Sequence, residues 1–441
     1  MADHPSPDSQ LVRVLGTREL TANIVNATIG AGIFLLPATV AAGLGPAAPV
    51  AYVVCAALMI LIVLCFAAAG SRVSLTGGLY AYIEVAFGTF AGFIAGVCYL
   101  STAFFSVASV ATGFAGSVGV IWPSLAEGIQ RATVLCALFG GLALINILGV
   151  KPGARLVEII TAAKLLPLLV LIALGFWFVH PEYLRFSMPA WSQIGPVAIV
   201  LIFAFEGIEV ALMPVGEVRN PASTVPKAIL SALALTTLMY LAIQTIAQGI
   251  LGPELAKYAA APLAETAGRV LGNLGRLVFL AGGTISMFGY VTTDVLGTPR
   301  AIYALARDGN LPLSAILSRI SQRFRTPVVA IVLYAIGVTI LSVNSSFEKL
   351  TVLANVSGLV LYLMCVAASF ELQRRDVRMA GTPMRLPGGM IIQLLAAGGI
   401  AWFLWQAPND VLVQVKVLGW ATVFYAAQKL LSRFTSTLRR T

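Results

Sequence analysis

The feature that most constrains this chain is a succession of long apolar stretches separated by short loops. A stretch of ~20 apolar residues can cross a bilayer as a helix, and about twelve such stretches occur here. Their predicted bounds are 19–42, 47–70, 87–121, 130–150, 155–179, 193–216, 226–251, 274–304, 327–343, 349–370, 387–406 and 411–431. Hydrophobic residues make up 59% of the chain and charged residues 10%, whereas a soluble domain is about half apolar and about a quarter charged. The sequence therefore predicts an all-α integral membrane protein.

The distribution of Lys and Arg predicts how the chain is oriented in the membrane. Most of the 28 basic residues fall in loops on the same side as the N-terminus, which is the bias typical of cytoplasmic faces. We expect a multi-pass protein of the cytoplasmic (inner) membrane with both termini in the cytoplasm. The net charge of +10 belongs to these loops and does not indicate nucleic-acid binding. Residues 1–10 are expected to form a disordered cytoplasmic tail without a signal-peptide pattern, and residues 11–441 a single transmembrane domain.

Two glycines interrupt the first apolar stretch. Gly30 and Gly32 lie one residue apart, and each lowers helix stability relative to alanine. An interrupted helix presents amide groups at the start of one half and carbonyl groups at the end of the other, which suits the carboxylate and ammonium of an amino acid. The alternative interpretation is that the two glycines only allow close helix packing.

The sixth stretch contains a second interruption. The run Phe205-Glu206-Gly207-Ile208-Glu209 places two carboxylates and a glycine in the middle of a span. Paired interruptions in corresponding positions of two halves indicate an inverted-repeat transporter. The predicted repeats cover about 19–180 (spans one to five) and about 193–370 (spans six to ten), and two further helices at about 387–431 follow them.

A few other polar residues lie inside predicted spans. Lys164 in the fifth span is functional or reaches toward the membrane surface. Asn355 in the tenth span is a helix–helix hydrogen bonder or a site residue. Asp294 lies near the middle of the eighth span. The five cysteines are scattered and the two histidines lie in a tail and a loop, so we expect no metal site and no cofactor.

Taken together, several segments resemble the amino acid–polyamine–organocation superfamily of transporters, and the branch that holds the amino acid permeases and the basic amino acid–polyamine antiporters. The resemblance covers nearly the whole chain. The matching motifs are Gly30-x-Gly32-Ile33-Phe34, Gly77-Gly78-x-Tyr80 to Gly88, Gly149-Val150-Lys151 to Lys164-Leu165-Leu166-Pro167, Phe205-x-Gly207-x-Glu209 to Glu217-Val218-Arg219-Asn220-Pro221, and Arg300 to Ala306-Arg307-Asp308-Gly309.

This resemblance implies a LeuT-like five-plus-five inverted repeat with discontinuous first and sixth helices. It implies that a substrate carboxylate binds the amides around Ala31, Gly32 and Ile33. The substrate ammonium would bind the carbonyls of Ile29 and of Phe203, Ala204 and Phe205, with Gly30 and Gly207 as hinges.

The resemblance also assigns roles to three side chains. Phe203 matches an aromatic gate position, and Glu209 matches a structural or proton-sensing group. Lys164 matches a lysine that fills the space of a sodium ion, and two like charges exclude each other. Sodium-independent exchange or proton coupling is therefore expected.

Two residues depart from the family pattern. Glu206 stands where many relatives have an apolar residue, and Asp294 stands where arginine/agmatine antiporters have a substrate-stacking aromatic. Two such carboxylates repel each other in a low dielectric, and either a cationic substrate side chain or a bound proton would relieve the repulsion. The alternative for Asp294 is that it only pairs with a neighbouring helix.

The sequence thus predicts a secondary amino acid transporter that works by alternating access, with a possible preference for cationic substrates. A polyamine or neutral amino acid transporter or exporter of the same fold is the alternative. An intramembrane enzyme that uses Glu206, Glu209 and Asp294 is a rival of a different class, but the spans contain no metal ligands, histidine or nucleophile–base pair. A channel would need a continuous polar lining, which the spans lack. The oligomeric state is left open.

Overall fold

Helices make up most of the part of the chain that the structure describes. The computed structural model describes residues 15–73, 75, 78–149, 154–185, 188–209, 218–307, 311, 313–379 and 382–438, without the side chains of 154–163 and 430–438. Its helices are α1 (Thr17–Thr28), α2 (Ala31–Leu44), α3 (Ala48–Gly70), α4 (Leu79–Phe87), α5 (Thr89–Ile121), α6 (Gly128–Ile147), α7 (Ala154–Gly175), α8 (Trp191–Leu201), α9 (Pro221–Leu251), α10 (Pro262–Arg307), α11 (Ser314–Leu317), α12 (Val328–Asn344), α13 (Phe347–Arg374), α14 (Met390–Trp405) and α15 (Pro408–Leu438).

The predicted apolar stretches coincide with helices in the same order. Seven helical stretches in the described ranges are long and apolar enough to cross a membrane, with Ala31–Gly70 counted as one, and shorter apolar helices accompany them. Each predicted stretch overlaps one of these helices. An all-helical membrane protein is therefore confirmed, while the count of twelve spans and the inverted repeat stay predictions.

Some boundaries differ from the predicted ones because a glycine or proline redirects the chain. α10 begins at Pro262, well before the predicted residue 274, and it bends at Gly272, whose φ is 66°. A short helix, α4, precedes α5 and is bounded by Gly78 and Gly88, both with positive φ. These conformations favour glycine because it has no Cβ to clash with the neighbouring backbone.

Several motif residues lie outside the described ranges. They are Gly77, Val150, Lys151, Glu217, Asp308 and Gly309, and the predicted tail of residues 1–10 lies outside as well. The structure therefore gives no test of these parts of the sequence patterns.

The outer surface of the bundle is apolar. Large exposed side chains include Leu166 on α7 (60% exposed), Trp405 at the end of α14 (82%) and Trp420 on α15 (76%). Such a surface suits hydrocarbon, because lipid tails are as apolar as these side chains. The chain is therefore a multi-pass membrane protein.

The first apolar stretch is divided between different neighbours. α1 packs against α9, whereas α2 packs against α8 and α10. At the centre of the bundle α13 packs chiefly against α5 and also against α3. This arrangement holds the junction of α1 and α2 deep inside the protein, beside the end of α8.

Candidate functional site

The first interruption lies between α1 and α2. α1 ends at Thr28 and α2 begins at Ala31, so Ile29 and Gly30 are the non-helical residues. Gly32 lies inside α2, and the unwound part is therefore shorter than the predicted hinge from Gly30 to Gly32. Gly30 is the residue before α2 and has no side chain to cap the first amides of the helix. The first backbone amides of α2, those of Ala31, Gly32 and Ile33, therefore need an acceptor other than a side chain of Gly30. A helix start of this kind can bind an anion.

The carbonyl end of α1 is held by side chains from two other helices. The Lys164 Nζ on α7 donates to the Asn26 carbonyl oxygen at 2.5 Å. The Tyr240 hydroxyl on α9 lies 3.0 Å from the Thr28 carbonyl oxygen. Both acceptors belong to the last turn of α1, where carbonyl groups have no partner within the helix. The sequence pointed to Lys164, but it gave no sign of Tyr240 beyond a tyrosine in an apolar helix.

The second interruption follows α8. After Leu201 the chain makes a 3-10 turn, Ile202–Phe205, and residues 206–209 form a non-helical turn. Gly207 has φ 96°, and a Cβ there would lie 2.8 Å from the Ala27 carbonyl oxygen. Any other residue would therefore be strained at this position and would collide with the end of α1.

The two interruptions are in direct contact. A Cβ on Gly32 would lie 2.9 Å from the Ala204 Cα. The Tyr240 hydroxyl, 3.0 Å from Thr28, also lies 2.8 Å from the Ala204 carbonyl oxygen and so connects both interruptions. The amide start of α2 and the carbonyl end of α8 therefore lie next to each other, as a site for an amino acid backbone requires.

Two further residues of the predicted site surround the end of α8. The Asn355 amide on α13 donates to the Ile199 carbonyl oxygen at 2.6 Å and to that of Val200 at 3.3 Å. The buried Asn355 Oδ1 has no partner among the described atoms. Asn355 therefore forms hydrogen bonds between α13 and α8, and its Oδ1 acceptor stays unpaired among the described atoms. The Phe203 ring is 8% exposed and packs edge-on against Phe347 at 6.3 Å.

The two glutamates of the second interruption have different partners. The Ser106 hydroxyl on α5 donates to the Glu206 Oε2 at 3.3 Å, and a Cβ on Gly358 would lie 3.0 Å from its Oε1. The Glu209 carboxylate accepts from the Gly207 amide at 3.1 Å and from the Tyr362 hydroxyl at 2.7 Å. Glu209 thus stabilises its own turn, whereas Glu206 has one hydroxyl partner. Neither Ser106 nor Tyr362 was predicted, because hydroxyl side chains are common in apolar helices.

Asp294 lies on α10 and faces α12. Its carboxylate on α10 accepts a hydrogen bond from the Tyr334 hydroxyl on α12 and another from Thr298, four residues further along α10. The side chain is partly buried. The structure therefore brings Asp294 into contact with a neighbouring helix. Both interpretations of this residue stay predictions.

The charges in this region are unbalanced. In the described ranges no Lys or Arg forms an ion pair with Glu206, Glu209 or Asp294. Lys164 is buried and is bonded to a backbone carbonyl. Ionisable groups inside a membrane are costly and usually serve a function. The described part of the chain contains no group of three or more metal-ligating side chains.

Helix interruptions that contact each other, beside unbalanced carboxylates and within an apolar helical bundle, define a membrane transporter of small solutes. The particular family follows from comparison with known sequences. Residues 15–425 match the sequence model of the amino acid permease family. The chain therefore belongs to this family. The predicted superfamily is confirmed.

Three relatives illustrate the range of the family. The serine/threonine exchanger SteT of Bacillus subtilis (strain 168) is 27% identical over 83% of this chain and 85% of its own length. The branched-chain amino acid permease BcaP of the same organism is 26% identical over 95% of this chain and 90% of its own. Cationic amino acid transporter 4 of Mus musculus is 25% identical over 86% of this chain and 63% of its own. The family and these relatives are transporters, so the chain is a transporter and not an enzyme.

Proposed function

We propose that this chain is a secondary amino acid transporter of the cytoplasmic membrane that works by alternating access. Its twelve spans would form a five-plus-five inverted repeat with two appended helices and both termini in the cytoplasm. The observation that carries the proposal is the contact between the two helix interruptions, at Gly32 against Ala204 and at Gly207 against Ala27. Such paired interruptions form the substrate site of inverted-repeat transporters.

The backbone of the interruptions would bind the part that all amino acids share. The substrate carboxylate would lie on the amides of Ala31, Gly32 and Ile33, where the start of α2 has a positive partial charge. The substrate ammonium would lie on the carbonyl groups of Ile29 and of residues 203–205. Gly30, which cannot cap α2 with a side chain, supports this assignment.

Glu206 would select the substrate side chain. Among the described residues, the Glu206 carboxylate accepts a hydrogen bond from the Ser106 hydroxyl alone, whereas the Glu209 carboxylate is bonded to both Gly207 and Tyr362. An unbalanced carboxylate in a low dielectric favours a cationic partner. We therefore propose a cationic amino acid such as lysine, arginine or ornithine as substrate. Neutral amino acids are the second candidate, because two of the relatives above are named for neutral substrates, and a polyamine is the third.

Lys164 supports transport that is independent of sodium. Its ammonium is bonded to the Asn26 carbonyl oxygen at the end of α1, and carbonyl groups of this kind would otherwise be ligands for a sodium ion. A fixed positive charge at that point excludes a second cation. Exchange of amino acids, or coupling to protons, would then drive the cycle.

Counterflow in liposomes tests the proposal. Vesicles that contain purified protein and unlabelled lysine should take up labelled lysine, arginine or ornithine faster than empty vesicles. Lack of counterflow with every amino acid and polyamine tested would contradict the transport function. Uptake that requires sodium would contradict the role of Lys164.

A variant pair tests the selectivity. Glu206→Gln should weaken uptake of cationic substrates more than uptake of neutral ones, by about tenfold or more, because a hydrogen bond to a charged group contributes about 1.5–3 kcal/mol. Glu127→Gln is the matched control, since Glu127 is exposed at the start of α6. Equal weakening of both substrate classes by Glu206→Gln would contradict the selectivity role.

A further inference from the structure

Asp294 is the carboxylate that the amino acid site does not use. Its carboxylate is bonded to Tyr334 of α12 and Thr298 of α10, and neither residue belongs to the helix interruptions. In the described ranges Asp294 pairs with no Lys or Arg. A carboxylate that meets hydroxyl groups inside a membrane is therefore left without a compensating positive charge.

Hydroxyl side chains lie close to both Asp294 and the second interruption. Tyr290 lies four residues before Asp294, so both side chains project from the same face of α10. Tyr290 interacts electrostatically with Ser106, Glu206 and Asp294. The Ser106 hydroxyl donates to the Glu206 carboxylate at 3.3 Å. The groups in question are Glu206, Ser106, Tyr290, Asp294 and Tyr334. Ser106 is hydrogen-bonded to Glu206 at one end, and Tyr334 is hydrogen-bonded to Asp294 at the other.

The surroundings of Asp294 contain hydroxyl and amide groups from four helices. Tyr290 and Thr298 face it from α10, and Tyr334 faces it from α12. Tyr99 on α5 is in electrostatic contact with both Asp294 and Glu209. On α6, the Asn146 amide donates to the carbonyl oxygen of Val295, next to Asp294, at 2.8 Å, and its own buried Oδ1 has no partner in the described part of the chain. The hydroxyl groups among them can relay a proton, and none of the named groups is a cation.

We propose that Asp294 is the proton-binding carboxyl of this transporter, and that Ser106 and Tyr290 link it to Glu206 along a path beside the amino acid site. The proposal rests on the transport function proposed above and extends it to the coupling ion. The path leaves the interruption between α5 and α10 and runs toward α12. Protons and amino acids would therefore occupy separate sites.

The proton step is balanced in atoms and charge. A proton from water binds one oxygen of the Asp294 carboxylate and makes the group neutral while the helices rearrange. The O–H bond then breaks and the proton passes to water on the other side, which restores the carboxylate. Each hydroxyl on the path gives up one proton and takes up another, so Ser106, Tyr290 and Tyr334 return to their starting state.

An asparagine at this position separates coupling from transport. Asp294→Asn keeps the shape and a hydrogen-bond acceptor for Tyr334 but cannot exchange a proton. We expect proteoliposomes with this variant to retain counterflow of amino acid while losing accumulation driven by a pH gradient. Tyr290→Phe should lower gradient-driven accumulation severalfold and leave counterflow in place. Thr292→Val is the matched control, because Thr292 lies on the exposed side of α10. Thermal melting of each purified variant reports whether it is folded.

Each outcome decides between the two proposals. Wild-type counterflow without any gradient-driven accumulation would overturn the proton proposal and leave the transport function standing. Accumulation by Asp294→Asn equal to that of wild type would also overturn it. Equal loss of counterflow and accumulation in folded Asp294→Asn, with intact neutral-substrate uptake, would make Asp294 a substrate ligand instead. No counterflow in wild-type protein would remove both proposals.

Discussion

The two helix interruptions are built from different chemistry. The first, Ile29 and Gly30, has no polar side chain of its own, and Lys164 and Tyr240 reach it from α7 and α9. The second carries Glu206 and Glu209 within its own turn. A backbone site treats all amino acids alike, because every substrate has the same carboxylate and ammonium. We infer that the backbone of both interruptions binds the common part of the substrate, and that the second interruption, through Glu206, also selects the variable side chain.

The largest expected effect tests whether the two interruptions must touch. Gly32→Ala would bring a methyl group to 2.9 Å from the Ala204 Cα, and Gly207→Ala would bring one to 2.8 Å from the Ala27 carbonyl oxygen. Overpacking of this kind costs about 1–3 kcal/mol, which corresponds to uptake slower by about five- to 150-fold. Initial rates in proteoliposomes measure the effect.

The control for the glycines is Gly140→Ala, since a Cβ on Gly140 would meet no atom within 4 Å. This variant should transport normally. Normal transport by Gly32→Ala and Gly207→Ala would show that the contact between the interruptions is not needed.

The next effect concerns the first interruption alone. Lys164→Met keeps an unbranched side chain but removes the ammonium that is bonded to the Asn26 carbonyl oxygen. A charged hydrogen bond contributes about 1.5–3 kcal/mol, so uptake should fall by about tenfold or more. Uptake of neutral and of cationic substrates should fall by the same factor, whereas Glu206→Gln should lower uptake of cationic substrates more. Uptake assays with both substrate classes measure this difference between the two interruptions. Lys227→Met, at an exposed lysine, is the control.

A smaller effect is expected where the two interruptions are joined. Tyr240→Phe keeps the ring, which packs edge-on against Phe205 at 5.5 Å, and removes the hydroxyl shared by Thr28 and Ala204. A neutral hydrogen bond contributes about 1 kcal/mol, so a loss of about fivefold in uptake follows. Tyr183→Phe, at a partly exposed tyrosine, should leave uptake unchanged. A loss for Tyr240→Phe as large as for Gly32→Ala would mean that the hydroxyl, and not packing, joins the interruptions.

The smallest effect lies outside both interruptions, in the loop after α13. The Arg378 side chain, with a smaller contribution from Arg72, lowers the pKa of Asp376 below its ordinary value. A lowered pKa in the folded state stabilises the protein at pH values above the unfolded pKa of about 3.9, and the stabilisation is lost as the pH falls through the folded pKa. Asp376→Asn should therefore lower the melting temperature slightly at pH 7, because the pair is exposed. The difference from wild type should shrink in melting curves taken at increasingly acidic pH, and a difference independent of pH would exclude this cause.

Much of the fold was predictable because the length of an apolar stretch can be read directly from consecutive residues of the sequence. Each predicted apolar stretch overlaps a helix, and the interruption at Gly30 was visible as a pair of glycines. The start of α10 at Pro262 was missed, since the residues before Gly272 are less apolar than a span requires.

The contacts of the site were less predictable because they join residues far apart in sequence. Tyr240, Ser106 and Tyr334 look like ordinary members of apolar helices, and their roles depend on which helix faces which. Asn355 was undecided between two roles, and the structure shows it on the carbonyl groups of α8. One signal was available: Tyr290, Asp294 and Thr298 recur every four residues and so mark one polar face of α10.

The Tyr240 hydroxyl has a consequence for how the protein opens. It lies within bonding distance of two carbonyl oxygens, Thr28 and Ala204, but owns one proton and can donate to only one of them at a time. If the end of α1 and the end of α8 move apart, the Tyr240 hydroxyl can still donate to the carbonyl oxygen of one of them. The two helix ends can therefore separate without loss of the Tyr240 hydrogen bond.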